Sequence, residues 1–164
     1  MNSDLEIRKA SPKDHDAIWE IIQPIIAKGD TYAFHPHTSR EDMLALWCGK
    51  DKHTYVAQRA GKIVGTFMLK DNHPGLGSHV ANAGYMTHPD EYGKGIGRTM
   101  AEFSLVEAKR LGYTDMQFNL VVKSNVRAVK LWQHLGFEII GEIPNAFQHA
   151  EQGLVNAYIM WRRL

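Results

Sequence analysis

Apolar residues recur along the chain at two periods, and the period assigns each element. Ile18, Ile21, Ile22 and Ile25 stand at i, i+3, i+4 and i+7, which lines one face of a helix. Ser11-Pro12 supplies an N-cap with proline in the first helical place, and Pro24 predicts a kink or an end. A second helix is predicted from Ser39, with Asp42 at the capping-box position, to Gly49. Ala101, Leu105, Ala108 and Leu111 predict a third over about 97–111; Ala128, Leu131, Trp132 and Leu135 predict a fourth that begins at Asn125 and stops at Gly136. Alternation marks Leu5 to Lys9 as a strand. The β-rich runs His53 to Arg59 and Lys62 to Lys70 meet at Ala60-Gly61 as a hairpin, and DNHPGLGS after them is a loop. His79 to Thr87 and Met116 to Val122 are further strands, and Glu138 to Ile143 and Leu154 to Trp161 close the chain around the loop NAFQHAEQG.

The predicted order is strand, two helices, three strands, helix, strand, helix, two strands. An antiparallel meander followed by two crossover helices excludes a doubly wound parallel sheet. It predicts an α/β fold with a mixed, mostly antiparallel sheet and helices on both faces.

Length and composition narrow this further. With 164 residues, the expectation is one domain over 1–164. The single cysteine, Cys48, leaves no internal disulfide and fits a reducing, cytoplasmic compartment. The opening MNSDLEIRKA has no apolar run of signal length, and no stretch approaches a membrane span. Net charge is +1 with scattered Lys and Arg, so no nucleic-acid partner is expected. His35 and His37 lack clustered further ligands, so no metal is expected.

The stretch EYGKGIGRTM, residues 91–100, places Gly93, Gly95 and Gly97 with Lys94 and Arg98 directly ahead of a helix. A P-loop is excluded, because no Ser or Thr follows a closing Gly-Lys pair. A dinucleotide fingerprint is excluded because the third glycine place holds Met100 or Arg98. Two readings remain: a pyrophosphate cradle of free N–H groups at a helix start, or a turn that only caps the helix.

The chain resembles the GCN5-related N-acetyltransferases, the GNAT family, which move an acetyl group from acetyl-coenzyme A to an amine. The acyl-CoA signature maps onto Tyr92, Gly95 and Gly97, with Tyr92 in place of Gln or Arg. A second feature matches at Asn125, Ala128, Leu131, Gly136 and Phe137 within SNVRAVKLWQHLGF. The resemblance implies a GNAT fold in which the strands of Thr87 and Phe118 form a splayed parallel pair with pantetheine between them. It implies acetyl-CoA as cosubstrate, held by Met86, Thr87, Tyr92, Gly93, Lys94, Gly95, Ile96, Gly97, Arg98, Asn125 and Trp132, with Lys94 or Arg98 replacing the lost cation. Family habit and open sheet edges imply a homodimer.

The family often has a tyrosine at the position of Trp132 to protonate the departing thiolate. An indole N–H donates a hydrogen bond but is no proton source at neutral pH. Asn125 is the candidate catalytic donor, and equally a candidate helix cap. Asparagine is depleted in strands, so Asn82 and Asn119 within strands flanking the cleft are candidate acceptor ligands, or bulge residues. No carboxylate occurs in HVANAGYMT; water, His79, Asp71 or Glu138 are left as proton relays. Lone Cys48 has no evident base and is read as structural. GLGSHVANAGYM with Asn82, Asn119 and Asn125 is similar, more weakly, to fungal acetyltransferases acting on proline analogues such as azetidine-2-carboxylate. That implies a small amino acid or related amine as acceptor, with Tyr32, Phe34 and Tyr85 as an apolar wall. The alternatives are a protein or peptide acetyltransferase, or a noncatalytic acyl-CoA sensor.

Overall fold

The computed structural model describes residues 4–164. Met1 to Ser3, the first residues of MNSDLEIRKA, lie outside them. One sheet holds β1 (Leu5–Lys9), β2 (His53–Arg59), β3 (Lys62–Asp71), β4 (Val80–Thr87), β5 (Asp115–Val122), β6 (Glu138–His149) and β7 (Gly153–Arg163), in the order β1-β2-β3-β4-β5-β7-β6. Neighbours are antiparallel except β4 and β5. The helices are α1 (His15–Lys28), α2 (Arg40–Cys48), α3 (Ile96–Arg110) and α4 (Val126–His134). The mixed α/β fold and the element order are those the sequence pattern predicts. No helix among the described residues is long and apolar enough to cross a membrane.

The sheet separates two apolar layers. From α1 and α2, Ile18, Ile22, Met43 and Trp47 cover one face together with Met68 and Met86. From α3 and α4, Met100, Ala108, Val129 and Trp132 cover the other, with Phe67, Met116 and Phe118. Alternation along β4 therefore sends Met86 to the first layer and Ala81 and Tyr85 to the second. Trp47 is fully buried and its indole N–H donates to Thr66 Oγ1 at 3.0 Å. Its ring lies 3.1 Å from where a Cβ on Gly84 would be, so β4 has to be bare there.

Two expectations are corrected. Helix α1 does not end at Pro24 but continues through it. The proline is on the exposed side, where water can take the carbonyl it leaves unpaired, while buried Ile21, Ile22, Ile25 and Ile26 hold the helix on the sheet. Strand β6 extends through most of the expected loop to His149. Pairing breaks after Ile143↔Ala157 and resumes at Phe147↔Val155, so the residues at Pro144-Asn145 form a bulge, with Asn145 at φ 52°. Burial of Phe147 and His149 recovers the strand beyond it.

A buried carboxylate fastens α3 to the sheet and gives an acid-lability prediction. Glu107, 8% exposed, accepts from Arg110 Nε and Nη2 at 2.8 and 2.6 Å and from the Tyr55 hydroxyl. The Arg110 guanidinium and then the Tyr55 hydroxyl hold its carboxyl at about 2, below the ordinary 4.5. The unfolded chain therefore takes up the proton first. The contribution to stability is complete above about pH 4.5 and is lost as pH falls toward 2. Because Arg110 is exposed and screened, the expected loss is about 1–3 kcal/mol. Denaturant unfolding at stepped pH should show this slope flattened in Glu107→Gln; an unchanged slope would remove Glu107 as its source.

Candidate active site

Strands β4 and β5 pair only near their starts, Val80↔Asp115 and Ala81↔Met116. From Asn82 and Gln117 onward no ladder joins them, and β5 carries a register break between Phe118 and Val121 in its pairing with β7. The gap opens toward the strand ends that lead into the starts of α3 and α4.

At one side of this mouth lies the glycine loop. Gly93 and Gly95 have φ of 81° and 79°, left-handed values that glycine adopts without strain, and Gly95 is the N-cap of α3. Ile96 is buried and anchors the turn. Among the described residues, no protein acceptor takes the N–H groups of Gly93, Gly95, Ile96, Gly97 or Arg98, and the first turn of α3 has no acidic residue. A Cβ on Gly97 would meet Thr87 Oγ1 at 3.6 Å. Five free donors at the positive end of a helix dipole form an anion cradle. The two cations expected to serve it are engaged in ion pairs: Lys94 Nζ with Glu91 at 3.1 Å and Arg98 Nε with Glu102 at 2.8 Å. Tyr92 is half exposed.

Further into the gap, the Tyr85 ring turns toward α3 and α4. Its hydroxyl donates to Ser104 Oγ at 2.7 Å, and its ring is 5.0 Å from that of Trp132. The structure therefore does not bring the Tyr85 ring beside Tyr32 and Phe34, which stack at 5.9 Å in the α1–α2 segment. It brings the Tyr85 main chain there instead. The Tyr32 hydroxyl accepts the Tyr85 N–H at 2.9 Å and donates to the Tyr85 carbonyl. A side chain thus supplies the partner that β5 withholds, so the parted edge of β4 is not free for a ligand at this residue. Burial pushes the Tyr32 hydroxyl up to about 12, so it stays protonated.

On the α1–α2 face, Asn82 and Asn119 meet through a third amide. Both donate to Asn72 Oδ1, at 3.1 and 2.8 Å, while Gln117 Nε2 donates to Asn119 Oδ1 at 3.0 Å. Asn72 was not singled out in the sequence, where its loop is marked by Pro74, Gly75 and Gly77; its N–H bonds the Val80 carbonyl and folds it back over β4. Neighbouring Asp71, one of the candidate relays, accepts from the Tyr113 hydroxyl at 2.7 Å.

Asn125 caps α4, with Oδ1 accepting the Ala128 N–H at 3.3 Å. Its Nδ2 has no partner among the described residues, nor has the Trp132 indole N–H. Ser124 Oγ is buried and has no hydrogen-bond partner among the described residues. From the same helix, Arg127 Nη2 reaches across the mouth to 3.8 Å of where a Cβ on Gly93 would stand. Cys48 is half-buried and its thiol is pushed up to about 11, chiefly by burial. The His35 and His37 rings are 5.6 Å apart, and no group of three metal-ligating residues occurs among the described residues.

Residues 18–137 match the family model described as the acetyltransferase (GNAT) family. The chain belongs to this family. A GNAT protein uses acetyl-CoA as its cosubstrate, and the free donors, the bare glycines and the orphaned Ser124 Oγ fit that molecule. The chain is 39% identical over 98 residues to N-acetyltransferase aca1 of Schizosaccharomyces pombe, covering 59% of this chain and 47% of that protein. It is 35% identical over 83 residues to protein SPT10 of Saccharomyces cerevisiae, 51% of this chain and 13% of that protein. The chain thus spans about half the length of the first relative and a small part of the second. A GCN5-related N-acetyltransferase from Kribbella flavida superposes over 100% of both chains with TM-score 0.94 and 38% identity. The fold is also that of yncA from Salmonella typhimurium, solved with acetyl-CoA, at TM-score 0.86 and 22% identity over 99% of this chain and 95% of that one.

Proposed function

We propose that this GNAT domain transfers the acetyl group of acetyl-CoA to the amine of a small molecule, an amino acid or a proline analogue, by direct attack in a ternary complex. The observation that carries the reading is the splayed β4–β5 pair, with free main-chain donors at its mouth and a cluster of carboxamides on the opposite face.

The N–H groups of Gly93, Gly95, Ile96, Gly97 and Arg98 hold the pyrophosphate, and Met86, Thr87 and Trp132 line the path of the pantetheine arm. Acetyl-CoA supplies the activated thioester. Asn125 Nδ2 donates to the departing sulfur while Oδ1 caps the helix; the two roles use different atoms and are compatible. A free alkyl thiol titrates at about 8.5, so hydrogen-bond support is enough for it to leave as thiolate. Asn82 and Asn119, joined by Asn72, orient the acceptor, and the Tyr32–Phe34 stack forms its apolar wall. The raised Cys48 thiol makes an acyl-enzyme route unfavourable, which supports direct attack.

A thiol-release screen with acetyl-CoA across free amino acids, proline analogues and peptides tests this. Release with the free amines is the expected outcome. Release with peptides alone would replace the reading with peptide acetylation, and acetyl-CoA binding without release would leave a sensor. We further propose that two copies pair along the open β6 edge, where Ile140 is 55% exposed. Light scattering at micromolar concentration that gives the monomer mass would overturn the dimer.

A further inference from the structure

We propose that Arg127, in the first turn of α4, reaches across the β4–β5 mouth and clamps the pyrophosphate lying on the Gly93–Arg98 loop. It supplies the cation that Tyr92 does not. This rests on the acyl-CoA reading of the cradle.

Position argues first. Arg127 is the second residue of α4, and a Cβ on Gly93 would stand 3.8 Å from its Nη2. The guanidinium therefore lies against the loop with only the bare glycine between them, and a side chain at Gly93 would compete for that space. Charge argues next. A cation in the first turn opposes the helix dipole, and the first turn of α4 has no acidic residue to offset it. A residue that breaks a local rule without a partner in the fold marks a site shaped for something else.

The surrounding charges are accounted for among themselves. Lys94 and Arg59 share Glu91 at 3.1 and 3.4 Å, Arg98 holds Glu102, and Asp30, whose charge also reaches Tyr92, is paired with Lys28 at 3.1 Å. Arg127 is exposed and makes no ion pair or hydrogen bond among the described residues. Its planar fork suits two oxygens of one phosphate, which a lysine cannot match. The loop then contributes N–H groups from one side of the gap and Arg127 a charge from the other, so the pyrophosphate bridges the elements that follow β4 and β5.

Calorimetry with CoA and with dephospho-CoA, which lacks the 3′-phosphate, tests the assignment. Arg127→Gln is expected to weaken both by a similar factor, about 10- to 100-fold, the range for losing charge-assisted hydrogen bonds. Its melting temperature should be unchanged or higher, because an unfavourable charge has left a helix start. Arg127→Lys should recover part of the affinity, charge without the fork. Unchanged affinity in Arg127→Gln overturns the proposal. So does a loss confined to CoA, which would assign Arg127 to the 3′-phosphate, or a loss accompanied by a fall in melting temperature, which would make it structural. Wild-type protein that binds neither molecule would remove the acyl-CoA reading and this clamp together, whereas tight wild-type binding with an unaffected variant removes the clamp alone.

Discussion

Replacing Gly95 with valine is expected to abolish measurable acetyl-CoA binding in a protein that still folds. Gly95 holds φ 79°, ψ 2° at the N-cap of α3, a left-handed conformation that disfavours an L-residue by about 1–2 kcal/mol and a β-branched one more. The site is exposed, so no core contact is lost. If the backbone holds, the valine methyls cover the N–H groups of Ile96 and Gly97; if it relaxes to negative φ, the donors no longer converge. Either outcome should weaken binding by more than about 100-fold, roughly 2.8 kcal/mol, against a modest fall in melting temperature. Gly97→Val should act similarly, because its added methyls crowd the approach to the N–H groups of the first turn. Calorimetric affinities equal to wild type in both variants would move the cradle elsewhere.

Asn125→Ala is expected to lower turnover with the acceptor's KM little changed, whereas Asn82→Ala and Asn119→Ala should raise that KM. A donor used mainly as charge develops on sulfur acts on kcat, and preorganised donors of that kind are worth about 2–4 kcal/mol. A group that aims the acceptor acts on its binding, with turnover falling too if the amine is misaligned. The cap bond to Ala128 adds a separate signature, about 1 kcal/mol of lost stability. Melting temperatures and steady-state kinetics on the three variants separate these terms. Normal turnover by a less stable Asn125→Ala protein would sink its catalytic role and leave the cap.

Much of this architecture was legible in the sequence because its causes are local. The isoleucines of α1 and the Ala128–Leu135 stripe of α4 repeat at the helical period, and Gly136, at φ 83°, ends the latter as expected. The glycine loop was legible for the same reason: its φ values and free N–H groups belong to one short stretch, Gly93 to Arg98. What failed depended on partners distant in sequence. Pro144 and Asn145 have turn chemistry, yet the buried Phe147 finds Val155 and the strand resumes. Pro24 has helix-breaking chemistry, yet the sheet holds the isoleucines around it. In the site, Asn82 and Asn119 stood out as amides in strands, but nothing near Asn72 signalled that its carbonyl joins them. Tyr32 and Tyr85 both read in the sequence as aromatic walls. That one grips the main chain of the other follows from the parting of β4 and β5, which no local pattern records.

That parting also governs how the molecule melts. With only two residue pairs between β4 and β5, the sheet consists of two plates, β1 to β4 and β5 to β7, hinged at one corner. A molecule seated in the gap touches both plates and does the work of an absent ladder. Its binding energy is then also cohesion between the plates, so the transition temperature should climb with the logarithm of free acetyl-CoA.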